Sequence, residues 1–321
     1  MNNNFYLETT QTLLMQIAKY SGFSKDLGLF DGKMGVAILL YHGSRFFCSS
    51  EMELVADNLM DDILEEKMSI FSINSHGFNK DTIEIAWGFN HLIINGFIES
   101  SIDFFDDIDK LLFLDEANVK KMSIAENLFL GLYILSRYEN SREKNYWVGQ
   151  ADLYCNQIFK LVKTYPNLFV KRTELLTPYW YCLLKWRQYN LPFMIQNENI
   201  IKVCRFINNF DCKDVKTNKA AINKQFFYKF CQHDEVSLFP EIVTICDINT
   251  IFLNKLIYQD LELPQQELLD KSITHIISDN RMLNELSILF NPQSIGISSY
   301  ISGFAWTLLQ YKSSCGTFKK L

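Results

Sequence analysis

The feature that most constrains the fold is a short apolar motif, rich in glycine and alanine, that recurs along the chain. It is clearest where Gly32 and Gly35 lead into the apolar run VAILLY, and Asp31 just before it is a candidate N-cap. Further copies of the same pattern begin near Glu84, Phe129, Trp180 and Gly303. The first four copies lie roughly 45–51 residues apart, which is long enough for one helix out and one helix back.

This spacing predicts a helical-pair repeat, in which very apolar helices alternate with amphipathic ones. We therefore predict an all-α fold in which the apolar helices form an inner layer and the amphipathic helices cover them. Because the motif occurs near both ends of the chain, the first and last repeats can pack together and close a ring. The predicted inner helices span residues 33–47, 84–97, 122–137, 175–188 and 300–312.

Composition narrows the class of protein further. Of the 321 residues 48% are hydrophobic, enough to bury a large core as a single domain over residues 1–321. The net charge is −6 without any block of basic residues, which argues against a nucleic-acid surface. The beginning of the chain lacks the pattern of a signal peptide, and no apolar run approaches the ~20 residues of a membrane span. The eight cysteines are scattered, as in reduced proteins, so we predict a cytoplasmic protein.

The repeats also carry a resemblance to a known family. The stretches GKMGVAILLYH, DTIEIAWGFNHLI and YISGFAWTLL resemble the glycine-rich inner-helix repeats of the lanthionine synthetase C-like family. The first stretch keeps both repeat glycines, Gly32 and Gly35, and the third keeps the second one, Gly303. The resemblance implies an α/α toroid, which is a two-layer barrel of six or seven helical pairs, and a role in bacterial lanthipeptide-type peptide maturation.

The resemblance also directs attention to zinc, because the family's enzymes hold a catalytic zinc through a Trp-Cys-x-Gly stretch and a later Cys-His pair. The stretch FCQHD resembles the first segment, which makes Cys231 and His233 the candidate metal ligands, with Cys246 as the nearest further thiol. The second segment departs from the family, since no cysteine is directly followed by histidine. A functional zinc site needs three or four placed ligands, so we predict no stoichiometric zinc and no other cofactor.

Three further residues are candidates for catalysis. Glu84 replaces a repeat glycine where helices lie close together, so its charge must reach solvent or find a partner. Asp81 offers a second carboxylate one turn earlier, and paired acids in an α/α barrel can cleave a glycosidic bond. His91 can face the ring centre as an acid or base. The structural alternatives are that both acids lie in solvent at the mouth of the barrel, and that His91 is only a packing residue.

From these observations we predict a divergent lanthionine synthetase C-like protein of bacterial modified-peptide biosynthesis that serves as a zinc-free binding scaffold. Its partner would be a modified or precursor peptide, or a maturation enzyme. Three alternatives stay open. They are an active zinc-dependent peptide cyclase with a rebuilt site, a carboxylate-based α/α-barrel carbohydrate enzyme, and a plain interaction scaffold with no link to peptide tailoring. The sequence leaves open whether the protein is catalytic.

Overall fold

A computed structural model of the chain describes residues 3–71, 81–99, 105, 108–109, 122–171, 173–208, 256, 302–303 and 305–309. Throughout these ranges the regular structure is helical and no strand occurs, which confirms the predicted all-α class. The α-helices with defined bounds are α1 Asn3–Tyr20, α2 Lys33–Phe47, α3 Ser50–Phe71, α4 Thr82–Ile94, α5 Ile124–Asn140, α6 Lys144–Thr164, α7 Pro166–Lys171, α8 Thr177–Gln188, α9 Phe193–Gln196 and α10 Glu198–Asn208.

The chain divides into two compact units. The first unit comprises Met1–Gly88, Asn95–Ile98 and Glu241–Leu321, and the second comprises Phe89–Ile94 and Glu99–Pro240. Helix α4 thus contributes its first half to the first unit and its second half to the second. The prediction of one domain over the whole chain stays a prediction.

Helix α2 is the buried centre of the described part of the first unit. All its residues from Met34 to Tyr41 are buried, as predicted for an inner helix. Helix α3 packs along α2 and is amphipathic, because apolar residues at helical spacing are buried while Asp57, Asp61 and Asp62 are exposed. The buried residues of α3 are Met52, Ala56, Leu59, Met60 and Ile63. Helix α1 packs against both α2 and α3.

The N-terminus of α2 is held by the loop that precedes it and not by a side chain. Its N-cap is Gly32, which makes no side-chain hydrogen bond, so the prediction of Asp31 as the cap is wrong. Instead, the N–H groups of residues 33–35 donate to the carbonyls of residues 26–28 at 2.9 to 3.4 Å. A helix leaves these amides unpaired in its first turn, so the loop satisfies them in place of a cap.

Helix α4 spans Thr82–Ile94, whereas the sequence predicted residues 84–97. The helix ends earlier because the chain turns at Gly96, whose φ of 65° lies in the left-handed region that glycine adopts readily. The Arg45 guanidinium of α2 fixes this turn by donating to the carbonyls of Asn95 at 2.8 Å and Gly96 at 3.0 Å. A cation here also suits the partial negative charge of a helix C-terminus.

The described part of the second unit repeats the pairing of a buried helix with an amphipathic one. Helix α5 is buried from Asn127 to Leu135 and begins with a capping box between Ser123 and Glu126. Helices α6 and α8 both pack against α5. The buried face of α6 consists of Trp147, Ala151, Tyr154, Cys155, Ile158 and Val162. Helices α5 and α8 confirm, within a few residues, the helices predicted at 122–137 and 175–188.

An ion pair joins Asp109 to helix α5 in the second unit. Arg137 donates to Asp109 Oδ2 from Nε at 3.2 Å and from Nη2 at 2.7 Å, and the Tyr133 hydroxyl donates to Oδ1 at 2.7 Å. The guanidinium lies 4.4 Å from the ring centroid of Phe105 and 5.3 Å from that of Trp147. Charge pairing and cation–π contacts therefore act on the same side chain.

The last described stretch of the chain is helical, as predicted for the last inner helix. We expect Gly35 and Gly303 to be buried because they lie at close helix contacts of the repeat, and both are buried. The imidazole of His42 meets the indole of Trp306 edge to face, with 5.0 Å between the ring centroids. The first and last predicted inner helices therefore contact each other within the first unit.

Candidate functional site

The Glu84 carboxylate lies in the first turn of α4 and binds the loop before α2. Its Oε2 atom accepts hydrogen bonds from the backbone N–H groups of Leu29 at 2.8 Å and Phe30 at 3.3 Å. The pKa of Glu84 is raised to about 7, chiefly by burial and also by the nearby charges of Asp81 and Asp31, although the two amide hydrogen bonds act to lower it. Backbone amides therefore serve as the partner that a charge at this position requires, and they come from a loop 55 residues away in sequence.

The Asp81 carboxylate converges on the same place as Glu84. A Cβ atom added to Gly28 would lie 2.6 Å from Glu84 Oε2 and 3.0 Å from Asp81 Oδ1, so the loop passes both acids with no room for a side chain. Asp81 has a φ of 80°, a conformation that costs a non-glycine residue about 1 kcal/mol or more. The structure thus brings the two predicted carboxylates together, and both lie against the backbone of Gly28.

The third predicted catalytic residue, His91, belongs to the second unit. Its side chain is 6% exposed. Burial lowers the pKa of His91 to about 4, which keeps the imidazole neutral near neutral pH.

The candidate zinc ligands Cys231 and His233 lie outside the described residues, as does Cys246. Within the residues that the structure does describe, no group of three or more histidine, cysteine, aspartate and glutamate side chains is arranged to hold a metal ion. The candidate ligand set and the expectation of no stoichiometric zinc therefore both stay predictions.

A groove of about 510 Å³ runs between α5 and α6 in the second unit. Its apolar lining includes Leu130 and Ile134 from α5 and Leu153 and Leu161 from α6. Its polar lining is dominated by the carboxamides of Asn127, Gln150, Asn156 and Gln157. Pockets of roughly 300–1,000 Å³ with an apolar wall and a few placed polar groups are typical of ligand sites.

The carboxamides of the groove are ordered by a hydrogen-bond network. Asn127 Nδ2 donates to the carbonyls of Met122 at 3.1 Å and Ser123 at 2.9 Å, and its Oδ1 accepts from Gln157 Nε2. Asn156 Oδ1 accepts from Asn199 Nδ2 of α10 at 2.7 Å. The carboxamides of Asn127, Asn156 and Gln157 are therefore held by partners within the chain before any ligand arrives.

One feature of the sequence could have indicated this groove. Leu153 stands on the polar face of an amphipathic helix, and its side chain is 61% exposed. A large apolar residue at such a position is informative when it adjoins other apolar surface, as it does here beside the groove.

Comparisons with protein-family models, with curated proteins and with solved structures find no match to this chain. Among the helices that the structure describes, none is both long and apolar enough to cross a membrane.

Proposed function

We propose that this chain is a divergent relative of the lanthionine synthetase C-like family and serves as a peptide- or partner-binding scaffold in bacterial modified-peptide biosynthesis. The observation that carries this proposal is the groove between α5 and α6, which combines an apolar wall with pre-ordered carboxamides. Carboxamides both donate and accept hydrogen bonds, as a peptide backbone does. A site of this composition suits a peptide better than a highly charged ligand.

The proposal includes a closed α/α toroid of six or seven helical pairs. Two features support it, namely the alternation of buried and amphipathic helices and the contact of His42 with Trp306. Small-angle X-ray scattering tests it, because a closed ring of 321 residues gives the radius of gyration of a compact domain, about 20 Å. A markedly larger radius with an elongated distance distribution would indicate an open superhelix.

The functional proposal is tested in two steps. The genes beside this one are examined for a short precursor peptide together with a dehydratase or radical enzyme, and the encoded peptide is then titrated into the full chain by calorimetry. Saturable binding at micromolar concentration supports the scaffold. A neighbourhood without any peptide gene, or a precursor that does not bind, contradicts it.

Elemental analysis separates the scaffold from an active zinc cyclase with a rebuilt site. We expect no stoichiometric zinc in protein purified without chelator, and we expect Cys231→Ala to leave the circular dichroism spectrum and thermal midpoint nearly unchanged. About one zinc per chain that is lost in the Cys231→Ala variant would favour the cyclase, because several deprotonated ligands are needed to retain the metal.

The convergence of Asp81 and Glu84 on Gly28 favours a second candidate, a carboxylate-based carbohydrate enzyme. A glutamate with a pKa of about 7 is about half protonated at pH 7, so it can act as a general acid beside a second carboxylate. Hydrolysis of a panel of chromogenic glycosides tests this candidate. Activity that Glu84→Gln abolishes would support it, since the glutamine keeps an acceptor for the two loop amides but has no acidic proton. Neighbouring carbohydrate genes would point the same way.

A further inference from the structure

The groove of the second unit follows two helices for most of their length. Its lining residues on α6 run from Gln150 to Thr164, and on α5 from Ile124 to Ile134. At 1.5 Å per residue the α6 side is about 21 Å long. A peptide in extended conformation covers that distance with about six residues.

The apolar part of the groove leaves an unusually exposed leucine beside a buried wall. Leu130 and Ile134 of α5 are buried, whereas Leu153 of α6 is largely exposed. An apolar side chain of a ligand that lies between them removes the face of Leu153 from water. This contact provides a place for one apolar residue of the occupant.

The polar part of the groove presents a donor and an acceptor on consecutive residues. Asn156 uses its Oδ1 atom to accept from Asn197 and Asn199, and Gln157 uses its Nε2 group to donate to Asn127. Within the described part of the chain nothing accepts from Asn156 Nδ2 or donates to Gln157 Oε1. These two groups match the C=O and N–H of a peptide backbone.

Lys160 sets the charge that the groove prefers. Counted over the described residues, it is the only charged side chain that lines the groove, and it forms no ion pair with any of them. It is also exposed, so a ligand reaches it without a rearrangement of α6. In a chain of net charge −6 an isolated lysine of this kind selects an anionic partner.

We propose that this groove binds an extended peptide segment that carries a carboxylate close to an apolar side chain. The carboxylate pairs with Lys160, one backbone unit pairs with Asn156 Nδ2 and Gln157 Oε1, and the apolar side chain packs between Leu153 and the α5 wall. The inference rests on the proposed scaffold function and specifies the class of peptide and the residues that recognise it.

Selection from a phage-displayed library of random heptapeptides, panned on the full chain, tests this inference. We expect the enriched peptides to carry aspartate or glutamate beside a large apolar residue. The tightest peptide is then synthesised, and its affinity is measured by fluorescence polarisation. Lys160→Glu should weaken binding at least tenfold, and a version of the peptide with its acidic residue changed to lysine should regain affinity for that variant.

The matched control is Lys163→Glu, which makes the same charge change on the same helix. Lys163 is exposed and does not line the groove, so binding should stay within about twofold of the unmodified chain. Leu153→Asp should also weaken binding at least tenfold without changing the circular dichroism spectrum or thermal midpoint, because Leu153 is already exposed.

Other occupants of the groove would overturn the inference in recognisable ways. If Leu153→Asp lowers the thermal midpoint by several degrees, another part of this chain covers the groove. If it converts a dimer to a monomer in light scattering, a second copy does so. Selected peptides whose affinity ignores both Lys160→Glu and Leu153→Asp would remove this site but leave the proposed scaffold function standing. Failure to select any peptide would count against both.

Discussion

Glu84 in the first unit and Asp109 in the second are both carboxylates largely withdrawn from water, but they are compensated differently. Asp109 pairs with the Arg137 guanidinium and accepts a hydrogen bond from Tyr133, and the two charged side chains are 14% and 13% exposed. Glu84 binds only two backbone amides among the described residues, and the charges near it are those of other acids.

The difference shows that the partner of a withdrawn carboxylate decides how it responds to pH. A guanidinium keeps its charge at every pH a protein experiences, so it favours the ionised form of Asp109. Backbone amides carry only partial charges, and at Glu84 they do not outweigh burial, so the pKa rises to about 7. Asp109 is thus paired with a permanent cation, whereas Glu84 should titrate near neutrality.

The largest expected effect tests the ion pair. Arg137→Met leaves Asp109 charged and partly buried without its cation, so the free energy of unfolding in urea should fall by about 3–5 kcal/mol. The double variant Asp109→Asn with Arg137→Met should recover part of this loss, because it removes the orphaned charge. The control is Lys202→Met, which breaks an exposed pair with Glu198 and should cost about 0.5 kcal/mol or less. Equal losses for Arg137→Met and Lys202→Met would contradict the comparison.

The next largest effect is the pH dependence that Glu84 confers. Its pKa is higher in the folded chain, about 7, than its ordinary value of 4.5, so the folded state binds the proton more tightly. The corresponding stability is complete below pH 4.5 and is lost as the pH rises through 7, by about 3 kcal/mol in all. Urea titrations between pH 4.5 and 8 should show this fall in the unmodified chain.

Glu84→Gln should flatten that pH dependence, because glutamine keeps an acceptor oxygen for the loop but does not titrate. Asp109→Asn serves as the comparison and should leave the slope between pH 4.5 and 8 in place. A slope that survives Glu84→Gln would show that other groups are responsible for it.

A smaller loss is expected when the loop is pushed off the two acids. Gly28→Ala places a methyl group 2.6 Å from the Glu84 Oε2 position, so the carboxylate must move away from its amides. We expect a loss of about 2 kcal/mol in the free energy of unfolding. Gly22→Ala is the matched control in the same unit, since a Cβ there meets nothing within 4 Å. Equal stability of the two variants would mean that Gly28 does not hold the loop at this distance.

The smallest effect concerns the hydroxyl that completes the Asp109 site. Burial and the Asp109 charge raise the pKa of Tyr133 well above its ordinary value, so its hydroxyl stays protonated and donates. Tyr133→Phe removes that hydrogen bond to a charged group and should cost about 1.5 kcal/mol in urea unfolding. A loss as large as that of Arg137→Met would mean that the hydroxyl, and not the cation, supports the carboxylate.

Local patterns predicted much of the fold because helix formation is local. The run of apolar residues after Gly32 predicted α2 over residues 33–47, and the structure has the same bounds. The end of α4 was missed because it depends on the left-handed turn at Gly96 and on a distant arginine, Arg45. Helical periodicity carries no information about either.

The candidate sites were predicted less completely, since they depend on contacts between distant segments. The pairing of Asp81 with Glu84 followed from their three-residue spacing, although Asp81 lies just before α4 and not within it. Their meeting with Gly28 did not, because the loop binds through backbone amides, which every residue except proline possesses. The groove was missed for a related reason: Asn156 and Lys160 resemble the ordinary polar surface of an outer helix until α5 is placed beside them.

The contact between His42 and Trp306 has a consequence for how the chain is made. These residues are roughly 260 positions apart, and a ribosome adds about 5–20 residues per second, so His42 emerges tens of seconds before its neighbour exists. Throughout that interval the apolar surface of α2 that Trp306 will cover stays open to chaperones and to other nascent chains. Most of the second unit is one continuous stretch, so less time passes between the synthesis of its first and last residues. Production of this protein should therefore be limited by protection of its earliest helices during translation.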